Sequence, residues 1–107
     1  MKKRLIDLDP EWVYDYEPVH HSHRRSDTLS IANAQGILFD CPLCGRHSVL
    51  AWFKDRGVPD DAEPGPGRWT PTGSGFNDLT LMPSINLDVK PDSPCKWHGW
   101  VKNGEVE

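Results

Sequence analysis

The chain lacks any long apolar run. Hydrophobic residues make up only 36% of its 107 positions, and nowhere do they approach the roughly 20 in succession that a membrane-crossing helix needs. It lacks an excess of positive charge: 12 Lys and Arg stand against 16 Asp and Glu, for a net charge of -4. A phosphate backbone needs clustered cations, so nucleic acid is not the expected main partner. The two small basic clusters, Lys2-Lys3-Arg4 and Arg24-Arg25, read as solvated surface. It lacks a secretion signal, because Leu5-Ile6-Asp7-Leu8-Asp9 places acids where an apolar core should follow the basic start. A cytoplasmic location is expected. There are only three cysteines. Any disulfide scheme leaves one over, and reduced thiols in the cytoplasm suit metal ligation better. No internal repeat and no convincing amphipathic helix is present. Nor is there a phosphate loop, or a Ser-His-Asp or Cys-His arrangement with supporting context. The sequence therefore predicts no catalytic activity.

What remains is short and β-like. At 12.1 kDa the chain has the size of one domain, residues 1–107, and buries roughly two-thirds of its unfolded surface. Ten Pro, nine Gly and a mean hydropathy of -0.62 imply much loop and a small core, so a cross-link or metal is expected to supplement packing. Apolar residues alternate with a period of two around Trp12-Tyr14-Tyr16 and Leu29-Ile31. Further strand candidates are Ile37–Phe39, Ser48–Phe53, Asp78–Met82 and Ser84–Val89, with Pro83 breaking the last two apart. Asn103-Gly104 predicts a type I′ hairpin in which Lys102 faces Glu105 and Val101 faces Val106. The organisation read from this is an N-terminal arm (1–27), a first knuckle hairpin (36–56), a Pro/Gly-rich loop (57–75), and a second knuckle with the C-terminal hairpin (76–107). The loop is either an irregular excursion or a binding loop built on Arg68 and Trp69.

The chemistry-bearing residues fall in two units. Cys41-Pro42-Leu43-Cys44-Gly45 lies between strand candidates in the form of a zinc knuckle, and Cys95-Lys96-Trp97-His98 repeats the two-residue spacing some fifty residues later. Cys41, Cys44, Cys95 and His98 together make a Cys3His set, a standard tetrahedral ligand set for one structural Zn2+. His47 competes with His98 for the fourth position, and buried unligated cysteines are the bland alternative. His20, His21 and His23 form a further cluster, read either as a weak second metal site or as a polar loop. The string Cys95 to Trp100, C-K-W-H-G-W, resembles the second box of Rieske proteins, which bind a [2Fe–2S] cluster. Their C-x-H box is replaced here by C-P-L-C.

The C-terminal strings Thr80-Leu81-Met82-Pro83-Ser84-Ile85 and Cys95 to Gly104 resemble a family of small phage and prophage proteins with the pattern T-L-x-P-S-I, then C-x-x-H-[GY]-[FWY]-[VI]-x-N-G. Cys41 to Cys44 and the Gly-Pro segment ending at Trp69 match upstream, so the likeness runs from Gly36 onward. The resemblance implies a phage origin, hence a host bacterial cytoplasm, and a zinc-stabilised β fold. The expectation is a mainly β domain, a small zinc-stabilised sheet or a Rieske- or rubredoxin-like two-knuckle architecture with long loops. It would serve as a non-catalytic accessory protein that binds a protein partner through Trp69, Arg68, Trp12, Tyr14 and Tyr16. The alternatives are an inhibitor of a host enzyme or defence complex, a Rieske-like electron carrier, and nucleic-acid binding through the knuckles.

Overall fold

The computed structural model describes residues 2–63, 67–86 and 97–107. The fold is mainly β, as expected. Its main layer is a four-stranded antiparallel sheet of β2 (Glu11–Glu17), β3 (Ser22–Ser26), β4 (Gly36–Asp40) and β5 (Ser48–Trp52), in the order β3-β2-β4-β5. Strand alternation divides its side chains between two faces. Trp12, Ile37, Phe39, Val49, Ala51 and Phe53 enter the main core with Leu5, Leu79, Leu81, Trp97, Val101 and Val106. Val13 and Trp52 point the other way and pack with Ala62.

Four short strands cover the main core. β6 (Thr70–Thr72) pairs with β7 (Thr80–Met82), and β8 (Ile85–Asn86) pairs with β9 (His98–Gly99). The C-terminal hairpin of β10 (Val101–Lys102) and β11 (Glu105–Val106) joins β1 (Lys3–Arg4) in a three-stranded sheet. Its register is the predicted one, Val101 opposite Val106 and Lys102 opposite Glu105. Asn103 (φ 50°) and Gly104 (φ 78°) carry the positive dihedrals of a type I′ turn. The turn is held from both sides: Gly104 N–H donates to Leu79 O, Leu5 N–H to Gly104 O, and Asn103 N–H to Thr80 Oγ1, each at 2.8 Å.

Two local expectations are corrected. The alternation at Leu29-Ile31 does not make a strand. Ile31–Asn33 is a turn of 3-10 helix, and the Arg56 guanidinium supplies donors to Ile31 O (3.0 Å) and Ala34 O (2.7 Å) that a sheet would otherwise supply. Conversely, His23, read with His20 and His21 as a polar loop or weak metal site, lies in β3. This strand needs no apolar face because it sits at the sheet edge, where charged side chains are the usual protection. In the Pro/Gly-rich stretch, Trp69 bridges to Phe53, with Trp69 N–H donating to Trp52 O (2.9 Å) and Lys54 N–H to Trp69 O (2.7 Å). Arg68 donates to Pro59 O and Gly67 O at 2.7 Å each.

Candidate active site and metal-ligand cluster

β8 and β9 bring together two residues fourteen positions apart. Their register sets Ile85 opposite Gly99 and Asn86 opposite His98. Ile85 and Gly99 face the core, while Asn86 and His98 face solvent. Continued one residue back, the register sets Ser84 opposite Trp100, which makes His98 the diagonal neighbour of Ser84. A diagonal pair lies within reach of a long side chain, and the imidazole spans it: Ser84 Oγ is 3.3 Å from His98 Nε2. A hydroxyl within reach of an imidazole nitrogen is the arrangement that activates a serine, with the ring as proton acceptor.

Both partners are fixed by their neighbours. Trp69, half-buried against the core, donates its indole N–H to Ser84 O at 3.4 Å. On the other side Trp97 is buried and meets Phe39 edge-on, with ring centroids 6.3 Å apart. Gly99 lies so close to Glu107 that a Cβ there would overlap the Glu107 carbonyl. Trp100 and Glu107 then exchange backbone hydrogen bonds of 3.0 and 3.1 Å. His98 thus stands between an aromatic anchor and a tight backbone crossing.

A second constellation occupies the turn after β4. Gly45, at φ 65°, lets the chain reverse, and its N–H donates to Cys41 O while Cys41 N–H donates to His47 O, both at 2.9 Å. The turn gathers Cys41 Sγ, Cys44 Sγ and a His47 nitrogen within 4.8 Å of one another. Cys44 Sγ lies 3.1 Å from His47 Nδ1, whereas His47 Nε2 is buried without a hydrogen-bond partner among the described residues. Two thiols and an imidazole are suitable donors for a metal ion, and the group is able to bind one.

The expected ligand set meets this geometry unevenly. Cys41 and Cys44 are together. Cys95 lies outside the described residues. His98, ranked ahead of His47 from the sequence, faces Ser84, and His47 is the histidine beside the two thiols. His20, His21 and His23 are engaged separately, with Glu17 (2.8 Å), with Tyr16 (3.1 Å) and edge-on to the Trp52 ring (5.7 Å). Burial lowers the pKa of His23, helped by the charge of Arg25.

The expected partner-facing residues also separate. Trp12 is 2% exposed and stacks on Phe76 at 4.4 Å, so its ring belongs to the core. Arg68 is tied to loop carbonyls. Tyr14 sits opposite Arg24 in the sheet, and Tyr16 packs edge-on against Trp52 at 5.3 Å. Of the other tryptophans, Trp97 is buried in the main core and Trp52 in the smaller cluster.

Ser84 is not among the site residues expected from the sequence. It stands in T-L-M-P-S-I, and His98 in C-K-W-H-G-W, but neither string is a catalytic signature, and only the β8–β9 pairing unites them. Among the described residues, no helix is long and apolar enough to cross a membrane. No curated protein and no solved structure matches the chain. One family model does match, over residues 14–107, all but the first thirteen: bacterial ubiquitination-like system serine protease (BubE). This corrects the expectation of a non-catalytic accessory protein, since the family is described as one of serine proteases. The lack of a recognisable triad in the sequence did not exclude an enzyme, because residues far apart in the chain can meet through strand pairing, as Ser84 and His98 do. The chain belongs to the bacterial ubiquitination-like system serine protease (BubE) family.

Proposed function

We propose that this chain is a serine peptidase of a bacterial ubiquitination-like system, with Ser84 as nucleophile and His98 as general base. The observation that carries the reading is the 3.3 Å separation of Ser84 Oγ and His98 Nε2 at the surface, in a chain of a serine protease family. Ser84 Oγ attacks the carbonyl carbon of an amide bond as His98 Nε2 takes its proton. The imidazolium then gives that proton to the leaving nitrogen, the C–N bond breaks, and the acyl group remains on Ser84 as an ester. Water, deprotonated by His98, attacks the ester carbonyl; the C–Oγ bond breaks as the imidazolium returns its proton to Ser84 Oγ, and the product leaves as an acid that ionises to a carboxylate. The substrate is a protein or peptide chain, because the dyad lies on an open strand surface.

An activity-based fluorophosphonate tests this. Wild type should be labelled on the peptide that contains Ser84, as mapped by mass spectrometry. Ser84→Ala should abolish labelling, and His98→Ala should slow it by about 10²–10⁴-fold, the usual weight of a general base. Full labelling of Ser84→Ala would remove Ser84 from the mechanism.

A structural zinc belongs to the same reading, supported by the gathering of Cys41, Cys44 and His47. Cys95, the third cysteine, is the donor proposed to complete the set. Thiolate-rich ligation of this kind saturates the ion and adds folding energy rather than a reactive position. Elemental analysis should find one zinc per chain, and Cys41→Ala or His47→Ala should lose it. A metal-free protein with an intact fold would remove zinc from this reading.

A further inference from the structure

The strand carrying His98 continues as a solvent-facing row. From Trp97 to Lys102 the side chains alternate: Trp97, Gly99 and Val101 are buried, while His98, Trp100 and Lys102 are exposed. Alternate residues on a strand share one face at about 7 Å spacing, so Trp100 is the next side chain after His98 on the dyad's face. Trp100 is 38% exposed, a large apolar group left in water beside the nucleophile. The Lys102 ammonium lies over its ring, 5.8 Å from the centroid. The extended register sets Trp100 directly across from Ser84, with His98 displaced toward the opposite end of the strand.

That displacement gives the site a direction. The base must return its proton to the leaving nitrogen, so the leaving group lies on the His98 side of Ser84. The acyl part of the substrate lies on the other side, over Trp100. We propose that Trp100 is the specificity-determining residue of the site, forming the wall of the subsite for the acyl-side residue next to the scissile bond. The side chain it favours is apolar. This rests on the dyad reading of Ser84 and His98. Apolar contact with an exposed aromatic face contributes through area removed from water. Discrimination by a pocket of that kind is typically 10–200-fold for a small difference in side-chain size. An open wall made by one indole belongs at the low end.

The experiment uses the full chain and two peptidyl phosphonates that differ only at the acyl-side residue, Leu or Gly. Each rate is normalised to the same protein's own reaction with a small fluorophosphonate that has no peptide part. In wild type the Leu probe should react about tenfold faster than the Gly probe. Trp100→Ala should bring that ratio to about one, and Trp100→Phe should restore most of it. Thermal melts establish that each variant is folded. A Trp100→Ala ratio equal to that of wild type overturns the assignment, as does a wild-type ratio of one or below. Failure of the small probe to label wild-type Ser84 overturns the dyad and the subsite together. Labelling of Ser84 without an acyl-side preference overturns the subsite alone.

Discussion

Gly99 decides where His98 can stand. Any side chain at position 99 would overlap the Glu107 carbonyl and approach the Trp97 indole, so β9 would move away from its crossing with the chain end and carry the imidazole with it. A misplacement of about 1 Å can cost 10²-fold in rate. Gly99→Ala should therefore slow fluorophosphonate labelling of Ser84 by about that factor, with a far-UV spectrum that stays β-like. Labelling at the wild-type rate would mean that the crossing does not govern His98. At this scale the sequence is half legible. His98 stands out, because it shares a C-x-x-H unit with Cys95, and that spacing also suggests metal ligation. Ser84 stands in the T-L-x-P-S-I string, but that string carries no catalytic signature and leaves the serine without a visible partner. The role proposed for it rests on a diagonal contact with His98, fourteen positions along the chain.

Elements whose instructions are local were readable. The C-terminal hairpin follows from two residues that accept positive φ, and β4 and β5 follow from short apolar runs. Elements whose reasons are distant were not. The 3-10 turn at Ile31–Asn33 depends on Arg56, and β3 depends on an edge beside β2 rather than on any hydrophobic pattern. The turn before β7 has its own acid dependence. The Asp78 carboxylate accepts Ser74 N–H, Ser74 O–H and Gly75 N–H, each at 2.9 Å. Chiefly the Ser74 backbone hydrogen bond, then the Ser74 hydroxyl and the Gly75 backbone, hold its pKa below the usual 3.8. Because the folded value lies below the unfolded one, the carboxylate stabilises the fold at any pH above the ordinary carboxylate range. That contribution disappears as pH falls through the folded value, where both states are protonated. Asp78→Asn should thus lower the melting temperature at pH 7, and the gap to wild type should close as the pH drops below 3.8. A gap that stays constant with pH would assign the effect to something other than the charge.

The whole molecule is organised by its main sheet. One face carries the main core, over which β7 to β10 hold Ser84 and His98, and the other carries the smaller cluster of Val13, Trp52 and Ala62. The first knuckle closes the β4–β5 end, where Cys41 is itself fully buried in the main core. If zinc sits there, chelation at neutral pH should lower the melting temperature by at least ~10 °C, since loss of a structural metal withdraws folding energy from a small domain. An unchanged melt would mean that packing alone holds the knuckle. The strand order has a practical side as well. β5 borders Trp69, whose indole holds the Ser84 carbonyl, while β3 is at the opposite edge of the sheet, and the turn leading into it carries Val19 at 76% exposure. A tether attached at that turn would leave the face of Ser84 and His98 open, so under the proposed mechanism an immobilised Ser84→Ala protein would serve as bait for its own uncut substrate.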